Sequence, residues 1–129
     1  IPQNYHEPFL NLINAQPELK EIELKYFKIK FDKDNIANIM PNLEVLSIKQ
    51  SYGNPFGEVN NLQNLQRLEL IDNDIELNRT MLKSKCISLK FLKIIEKELS
   101  NEVKEEIVFL LSLNYPNIMS LCYVTDNLI

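Results

Sequence analysis

The sequence of 129 residues predicts one α/β domain over residues 1–129, built from about five repeats in which short parallel strands alternate with helices or turns. Three observations support this fold class. Leucine and isoleucine recur with one spacing in five segments, the stretches between these segments carry apolar residues at helical spacing, and prolines mark the change from one to the other. A chain of this length has room for one such domain.

The five segments follow the spacing L-x-x-L-x-L-x-x-φ-x-L, which the second continues only weakly beyond its third framework residue. They begin at Leu19, Leu43, Leu65, Leu89 and Ile118, so the successive periods are 24, 22, 24 and 29 residues. The alternation in the central L-x-L predicts strands near residues 20–25, 44–49, 66–71, 90–95 and 119–124. Because strands this short cannot bury an apolar face alone, we expect them to stack in parallel around a continuous core, as in a solenoid.

The segments that precede the strands predict an outer wall with helical spacing. Its apolar residues are Phe9, Leu10, Leu12, Ile13, Ile36, Ile39, Met40, Val59, Leu62, Met81, Leu82, Val103, Ile107, Leu110 and Leu111. The longest predicted helix runs from about Asn101 to Leu113, with Ser100 as its N-cap. Three prolines, each two residues before the first Leu or Ile of a repeat, are expected to end the wall segments: Pro17, Pro41 and Pro116. Both glycines fall within residues 51–57, which predicts a loop there.

The third repeat carries Leu65, Leu68, Leu70, Asn73 and Ile75 at the framework positions. In this pattern the chain resembles the leucine-rich-repeat family, and the resemblance covers nearly its whole length. It implies a solenoid with parallel strands on a concave face and helices or turns on the convex face.

The chain resembles the F-box/leucine-rich-repeat proteins in particular, because its repeat period varies, its outer wall is helical and Cys86 lies three residues before Leu89. That resemblance implies the substrate-binding part of a ubiquitin-ligase adaptor, joined to the Skp1/cullin machinery through sequence outside these residues. The chain begins Ile1-Pro2-Gln3 without a methionine, so we expect it to be a fragment of a longer or processed chain. The alternative function is a structural repeat segment that acts as a scaffold in a larger assembly, with no ligase role.

The strand residues that flank the inward Leu and Ile positions predict a protein-binding surface on the concave face. They form three columns across the repeats: Glu21, Val45, Arg67, Phe91 and Ser120; Glu23, Ser47, Glu69, Lys93 and Cys122; and Lys25, Lys49, Ile71, Ile95 and Val124. The predicted site is an apolar patch with a charged rim, formed by Arg67, Glu69, Ile71, Phe91, Lys93, Ile95, Cys122 and Val124. Two other interpretations stay open: sequence outside this chain covers the patch, or the patch is an incidental property of strand residues that favour packing.

Composition excludes several other classes of function. The 14 basic and 18 acidic residues give a net charge of −4 and no general case for nucleic-acid binding, and no stretch is long and apolar enough to span a membrane. His6 is the only histidine, and no phosphate-binding glycine loop or nucleophile elbow occurs. We therefore expect no catalytic, cofactor-binding or metal-binding residues and no enzyme activity. The acidic clusters at 96–98 and 102–106 alternate with lysine, which is typical of a solvated face.

The cysteine content favours a cytoplasmic or nuclear protein. Cys86 is predicted in the wall and Cys122 on the open face of a strand, so we expect the two thiols not to meet. The sequon Asn78-Arg79-Thr80 argues weakly for a secreted protein.

Overall fold

The computed structural model describes residues 11–12, 15–26, 28–30, 42–54, 62–97 and 101–126. Within these ranges it has seven strands and two helices. In chain order they are β1 (Glu21–Lys25), β2 (Lys28–Lys30), β3 (Val45–Lys49), β4 (Tyr52–Asn54), β5 (Arg67–Ile71), α1 (Ile75–Leu82), β6 (Phe91–Lys97), α2 (Asn101–Asn114) and β7 (Ser120–Asp126).

The main sheet confirms the α/β class with five parallel strands in the order β1-β3-β5-β6-β7. Each strand overlaps one of the five strands expected from the L-x-L spacing. The register is also the expected one, because Glu21 pairs with Val45, Val45 with Arg67, Arg67 with Phe91, and Phe91 with Ser120. The three columns read from the sequence are therefore three rows of neighbouring residues on the sheet.

One hydrogen-bond pattern recurs where each strand begins. The carbonyl oxygen of Lys20 accepts the amides of Glu44 and Val45, at 2.7 and 2.9 Å. The carbonyls of Glu44, Gln66 and Lys90 each accept two amides from the following unit in the same way. The shared pattern places every strand at the same height relative to its neighbour, which fixes the register across the sheet.

The core lies on one side of the main sheet. The second and fourth residues of β3, β5 and β6 are buried there: Leu46, Ile48, Leu68, Leu70, Leu92 and Ile94. They pack with residues of α1 and α2, which are Leu77, Met81, Leu82 and Ile107. Removing such side chains from water stabilises a fold by about 1.5 to 3 kcal/mol each. Helices and core therefore occupy one side of the sheet, and the first, third and fifth strand residues occupy the other, which we call the open face.

The ends of the strands differ between the first three repeats and the last two. Tyr26, Gln50 and Asp72 each follow a strand and adopt positive φ, at 59°, 49° and 54°. These residues occupy the same position in the repeat, and the left-handed conformation turns the chain away from the main sheet. Glu96 occupies that position in the fourth repeat but continues β6, which pairs with β7 as far as Lys97 and Asp126.

Four local expectations are corrected by the structure. Residues 52–54, within the predicted loop, form β4, which pairs in parallel with β2 in a second sheet and contains Gly53 at φ 87°. Cys86, predicted to lie in the helical wall, is buried as expected but lies beyond the end of α1 at Leu82. Leu121, predicted to be buried as part of the inward pair of its repeat, lies on the core side beside Leu92 but is 51% exposed because β7 is the edge strand of the sheet. Glu96, predicted to be solvated, is buried.

The predicted long helix is confirmed, since α2 spans Asn101–Asn114 with Ile107 fully buried. The described wall residue Leu12 is 59% exposed. Most of the wall residues expected at 9–13 and 36–40, together with Val59, Pro41 and the N-cap Ser100, lie outside the described residues.

Candidate protein-binding surface

All eight residues of the predicted binding surface lie on the open face, because they alternate with the core-side positions of β5, β6 and β7. Arg67, Cys122 and Val124 are exposed, and the remaining five are half-buried by their neighbours: Glu69, Ile71, Phe91, Lys93 and Ile95. The structure thus brings the predicted residues together on adjacent strands. Whether they bind a partner stays a prediction.

Arg67 and Phe91 form the centre of the surface. They are direct neighbours on β5 and β6, and the Arg67 guanidinium carbon lies 4.8 Å from the centroid of the Phe91 ring. A shallow depression of about 250 Å³ lies beside this pair and is lined by Glu69, Lys93, Cys122 and other residues of these strands. A cation–π contact restricts both side chains, so the depression has one defined wall.

Aliphatic residues continue the surface towards the ends of the strands. Ile71 pairs with Ile95, and Ile95 pairs with Val124, so the three side chains form one apolar row across β5, β6 and β7. Val124 is 45% exposed. Neighbouring parallel strands lie about 4.8 Å apart, so this row is about 10 Å long.

The first two strands carry a charged surface instead. The Lys49 ammonium lies 3.0 Å from a carboxylate oxygen of Glu23, and the Lys25 ammonium lies 5.2 Å from the centroid of the Tyr26 ring. Ser47, between the long side chains of β1 and β5, is buried. The first two strands therefore lack the apolar row that the open face carries on β5, β6 and β7.

Asn73 holds the ends of β3 and β5 together and so fixes the position of the apolar row. Its amide nitrogen donates to the carbonyl of Ile48 at 2.8 Å, and its amide oxygen accepts the backbone amide of Ser51 at 3.0 Å. Both bonds join the third repeat to the second. Asn73 was placed at a framework position from the sequence, and these bonds show what its side chain contributes there.

A buried polar cluster lies behind the sheet and was missed in the interpretation of the sequence. Glu96 from β6 is 2% exposed and faces Asn78 of α1, which is fully buried, and Tyr123 of β7. Within the described part of the chain, Glu96 Oε1, the Asn78 amide and the Tyr123 hydroxyl have no partner in good hydrogen-bond geometry. Arg79 beside them binds Glu76 and Glu106, at 2.7 and 2.9 Å.

Burial is the largest influence on the pKa values of Glu96 and Tyr123 in this cluster. It raises the pKa of Glu96 above the ordinary value of 4.5, and the nearby Tyr123 hydroxyl, the Asn78 amide and the Arg79 charge offset this only in part. Burial also raises the pKa of Tyr123, and the carboxylate of Glu96 adds to that increase. A protonated Glu96 is therefore favoured in the folded state relative to the unfolded chain.

Other candidate chemistry is limited in the part of the chain that the structure describes. Cys86 is buried beside Ser88, Cys122 is exposed, and both thiols are free, as expected. Over the described ranges, no three His, Cys, Asp or Glu side chains are grouped as a metal site would need. Neither described helix combines the length and the hydropathy needed to cross a membrane. His6 lies outside the described residues.

Comparisons of the chain with protein-family models, with curated proteins and with solved structures give no match.

Proposed function

We propose that this chain is a leucine-rich-repeat solenoid that recognises another protein through the open face of its five-stranded sheet. The observation that carries the proposal is the contiguous surface around Arg67 and Phe91, which joins an aromatic ring and a guanidinium to the apolar row of Ile71, Ile95 and Val124. Aromatic and arginine side chains dominate the binding energy of protein interfaces. A binding role also accounts for apolar side chains on the face opposite the core.

The proposed location is the cytoplasm or the nucleus. Two free thiols are typical of a reducing compartment. The sequon Asn78-Arg79-Thr80 does not argue against this location, because the Asn78 side chain is fully buried on α1. No glycan could be accommodated there in the folded chain. Expression in the secretory pathway should therefore give folded protein only in its unglycosylated form.

Within this proposal, the chain serves as the substrate-binding part of an F-box-type ubiquitin-ligase adaptor. The support is the variable repeat period, the two helices behind the sheet and the buried Cys86 in the unit that leads into β6. In that role the open face selects the substrate, and the ligase subunits bind sequence outside residues 1–129.

The second candidate function is a scaffold segment, and a specific surface favours it. At the β7 edge, Met119 and Leu121 are 75% and 51% exposed, and Phe109 on α2 is 62% exposed. An apolar groove of about 240 Å³ between α2 and β7 lies in the same region. Another subunit that stacks on this edge would bury these residues.

A quantitative pull-down from source cells tests the proposed function. The full-length parent protein should capture a partner that is lost with Ile95→Lys, which puts a charge in the apolar row of the open face. Ile87→Lys is the matched control, because Ile87 is 63% exposed and lies in the turn between α1 and β6, outside the open face. Equal capture by the two variants would contradict the proposed binding surface.

The co-captured proteins distinguish the roles. Ligase subunits together with a client that depends on Ile95 would favour the adaptor. A stable set of structural partners that is lost with Leu121→Lys but not with Ile95→Lys would favour the scaffold.

A further inference from the structure

The two edges of the main sheet differ in charge. The strand order places β1 at one edge and β7 at the other. β1 carries three charges in five residues, Glu21, Glu23 and Lys25, and such charges hinder the pairing of an edge strand with another chain. β7 is seven residues long and carries no charge before Asp126, its last residue. Of the two edges, β7 is therefore the one suited to accept a further strand.

The β7 edge also exposes more apolar surface than the β1 edge. Leu121, on the core side of β7, is 51% exposed, whereas its neighbour Leu92 is 2% exposed because β6 has strands on both sides. Leu121 and Tyr123 line the apolar groove of about 240 Å³ between α2 and β7. At the opposite edge, Ile22 is half-buried and Leu24 is buried. Among the described residues, the core is therefore covered at β1 and left open at β7.

We propose that two copies of this chain pair along β7, in antiparallel orientation about a two-fold axis, and so join their main sheets into one. The inference goes beyond recognition by the open face, and it identifies the subunit at the β7 edge as a second copy. That copy supplies what the edge lacks, because its own β7 is uncharged and its own groove is apolar. Pairing of β7 with the β1 edge of another copy would cover less apolar surface and would continue as an open filament, whereas two β7 strands close a dimer.

The hydrophobic pattern selects the register of this pair. Residues that oppose each other across two strands lie on the same face of the sheet, so core-side residues of the two copies must oppose each other. With the two-fold axis at Cys122, Leu121 of each copy opposes Tyr123 of the other, and both exposed core-side positions gain an apolar neighbour. An axis at Tyr123 would place Leu121 opposite Thr125 instead. The register with its axis at Cys122 therefore removes more apolar surface from water.

A cross-link at Cys122 tests this register in the full-length protein. The two Cα atoms at the axis would lie about 4.5 to 5.5 Å apart, a distance that a disulfide can span. Sedimentation velocity should give twice the monomer mass, and mild oxidation should link the two copies through Cys122, as shown by mass spectrometry of the peptides. Cys122→Ser should prevent that link and leave the dimer in place.

Charge exchange at the same position tests the pairing without oxidation. Cys122 is exposed, so the folded chain can accept Cys122→Glu or Cys122→Lys there. Each variant alone places two like charges opposite each other at the axis and should dimerise more weakly than the natural protein. An equimolar mixture of the two variants should dimerise at least about fivefold more tightly than either one alone.

A second substitution acts on the core side of the edge. Leu121→Lys should raise the dissociation constant of the dimer at least about tenfold, because the ammonium would lose water opposite an apolar ring. Ile87→Lys is the matched control, since Ile87 is 63% exposed and lies in the turn between α1 and β6, away from β7. It should leave the dissociation constant unchanged. Circular dichroism checks that both variants are folded.

Two results would overturn the inference: a full-length protein that stays monomeric at about 100 μM, or a dimer that is not recovered when the Glu and Lys variants are mixed. In the first case the β7 edge is covered by another part of the chain or by a different protein. If the protein is monomeric while Ile95→Lys still abolishes capture of the cellular partner, recognition by the open face stands. If the dimer forms as described while Ile95→Lys leaves that capture intact, the inference stands and the proposed function is wrong.

Discussion

Replacement of Asn73 by alanine should destabilise the fold by breaking the polar link between two neighbouring repeats. The side chain joins the second and third repeats through two hydrogen bonds, one donated to the Ile48 carbonyl and one accepted from the Ser51 amide. Ser51 is 2% exposed, so its amide cannot easily exchange the lost bond for one to water. Asn73→Ala therefore removes two bonds and leaves a buried donor without this acceptor.

The magnitude follows from these contacts. Two hydrogen bonds contribute about 0.5 to 1 kcal/mol each, and a buried donor left without its acceptor costs about 1 to 2 kcal/mol more, so the loss should be about 2 to 4 kcal/mol. Asn117→Ala is the matched control, because the Asn117 amide donates one exposed bond, 2.9 Å long, to the Ile87 carbonyl. Its loss should be about 0.5 to 1 kcal/mol.

Chemical and thermal unfolding, followed by circular dichroism, measure both variants. For a domain of this size, 2 to 4 kcal/mol corresponds to a fall in Tm of about 8 to 16 °C. The midpoint in urea should fall while the slope of the transition stays constant. If Asn73→Ala lost no more stability than Asn117→Ala, the inter-repeat role of Asn73 would be refuted.

Three other predictions concern charge, thiol accessibility and binding. Because burial raises the folded-state pKa of Glu96, stability should fall as pH rises from about 4.5, the unfolded value, through the folded pKa. Glu96→Gln should therefore be more stable than the natural protein in urea unfolding at about pH 7, and the difference should vanish near pH 4.5. An equal difference at both pH values would contradict this account of Glu96. A thiol reagent should modify Cys122 rapidly in the native protein and Cys86 only after unfolding, since Cys86 is 3% exposed; mass spectrometry of the labelled protein checks this, and equal rates would contradict the described packing. Phe91→Ala should weaken partner binding by about 1 to 4 kcal/mol in calorimetry without a large loss of unfolding free energy, and unchanged affinity would remove the aromatic anchor from the site.

The register of the main sheet could be predicted from sequence because the central L-x-L marks the same strand position in every repeat, although the length of the repeats varies. Arg67 and Phe91 each precede the first leucine of a central L-x-L, so aligning Leu68 with Leu92 places the two side chains side by side. The cation–π contact between them follows from that alignment. The same reasoning placed Ile71 beside Ile95.

The features that the sequence could not predict are those that depend on where the chain of each repeat leaves the main sheet. Tyr26, Gln50 and Asp72 turn the chain with positive φ, while Glu96 at the same position continues the strand and is drawn into the core. Local composition around Glu96 is typical of a solvated segment, and only the contact with α1 and β7 buries it. Similarly, β4 forms because β2 lies beside it in register, a long-range contact that the loop-like composition of 51–57 does not reveal.

The most direct test of the central claim, that the open face recognises a protein, is site-specific photo-crosslinking in source cells. A photoreactive residue is placed in the full-length protein either at Glu69, in the middle of the open face, or at Ile87, outside it. We predict a defined crosslinked partner from position 69 that is lost with Ile95→Lys, and none of that partner from position 87. Crosslinks to the same partner from position 87 alone, or equally from both positions, would contradict recognition through the open face.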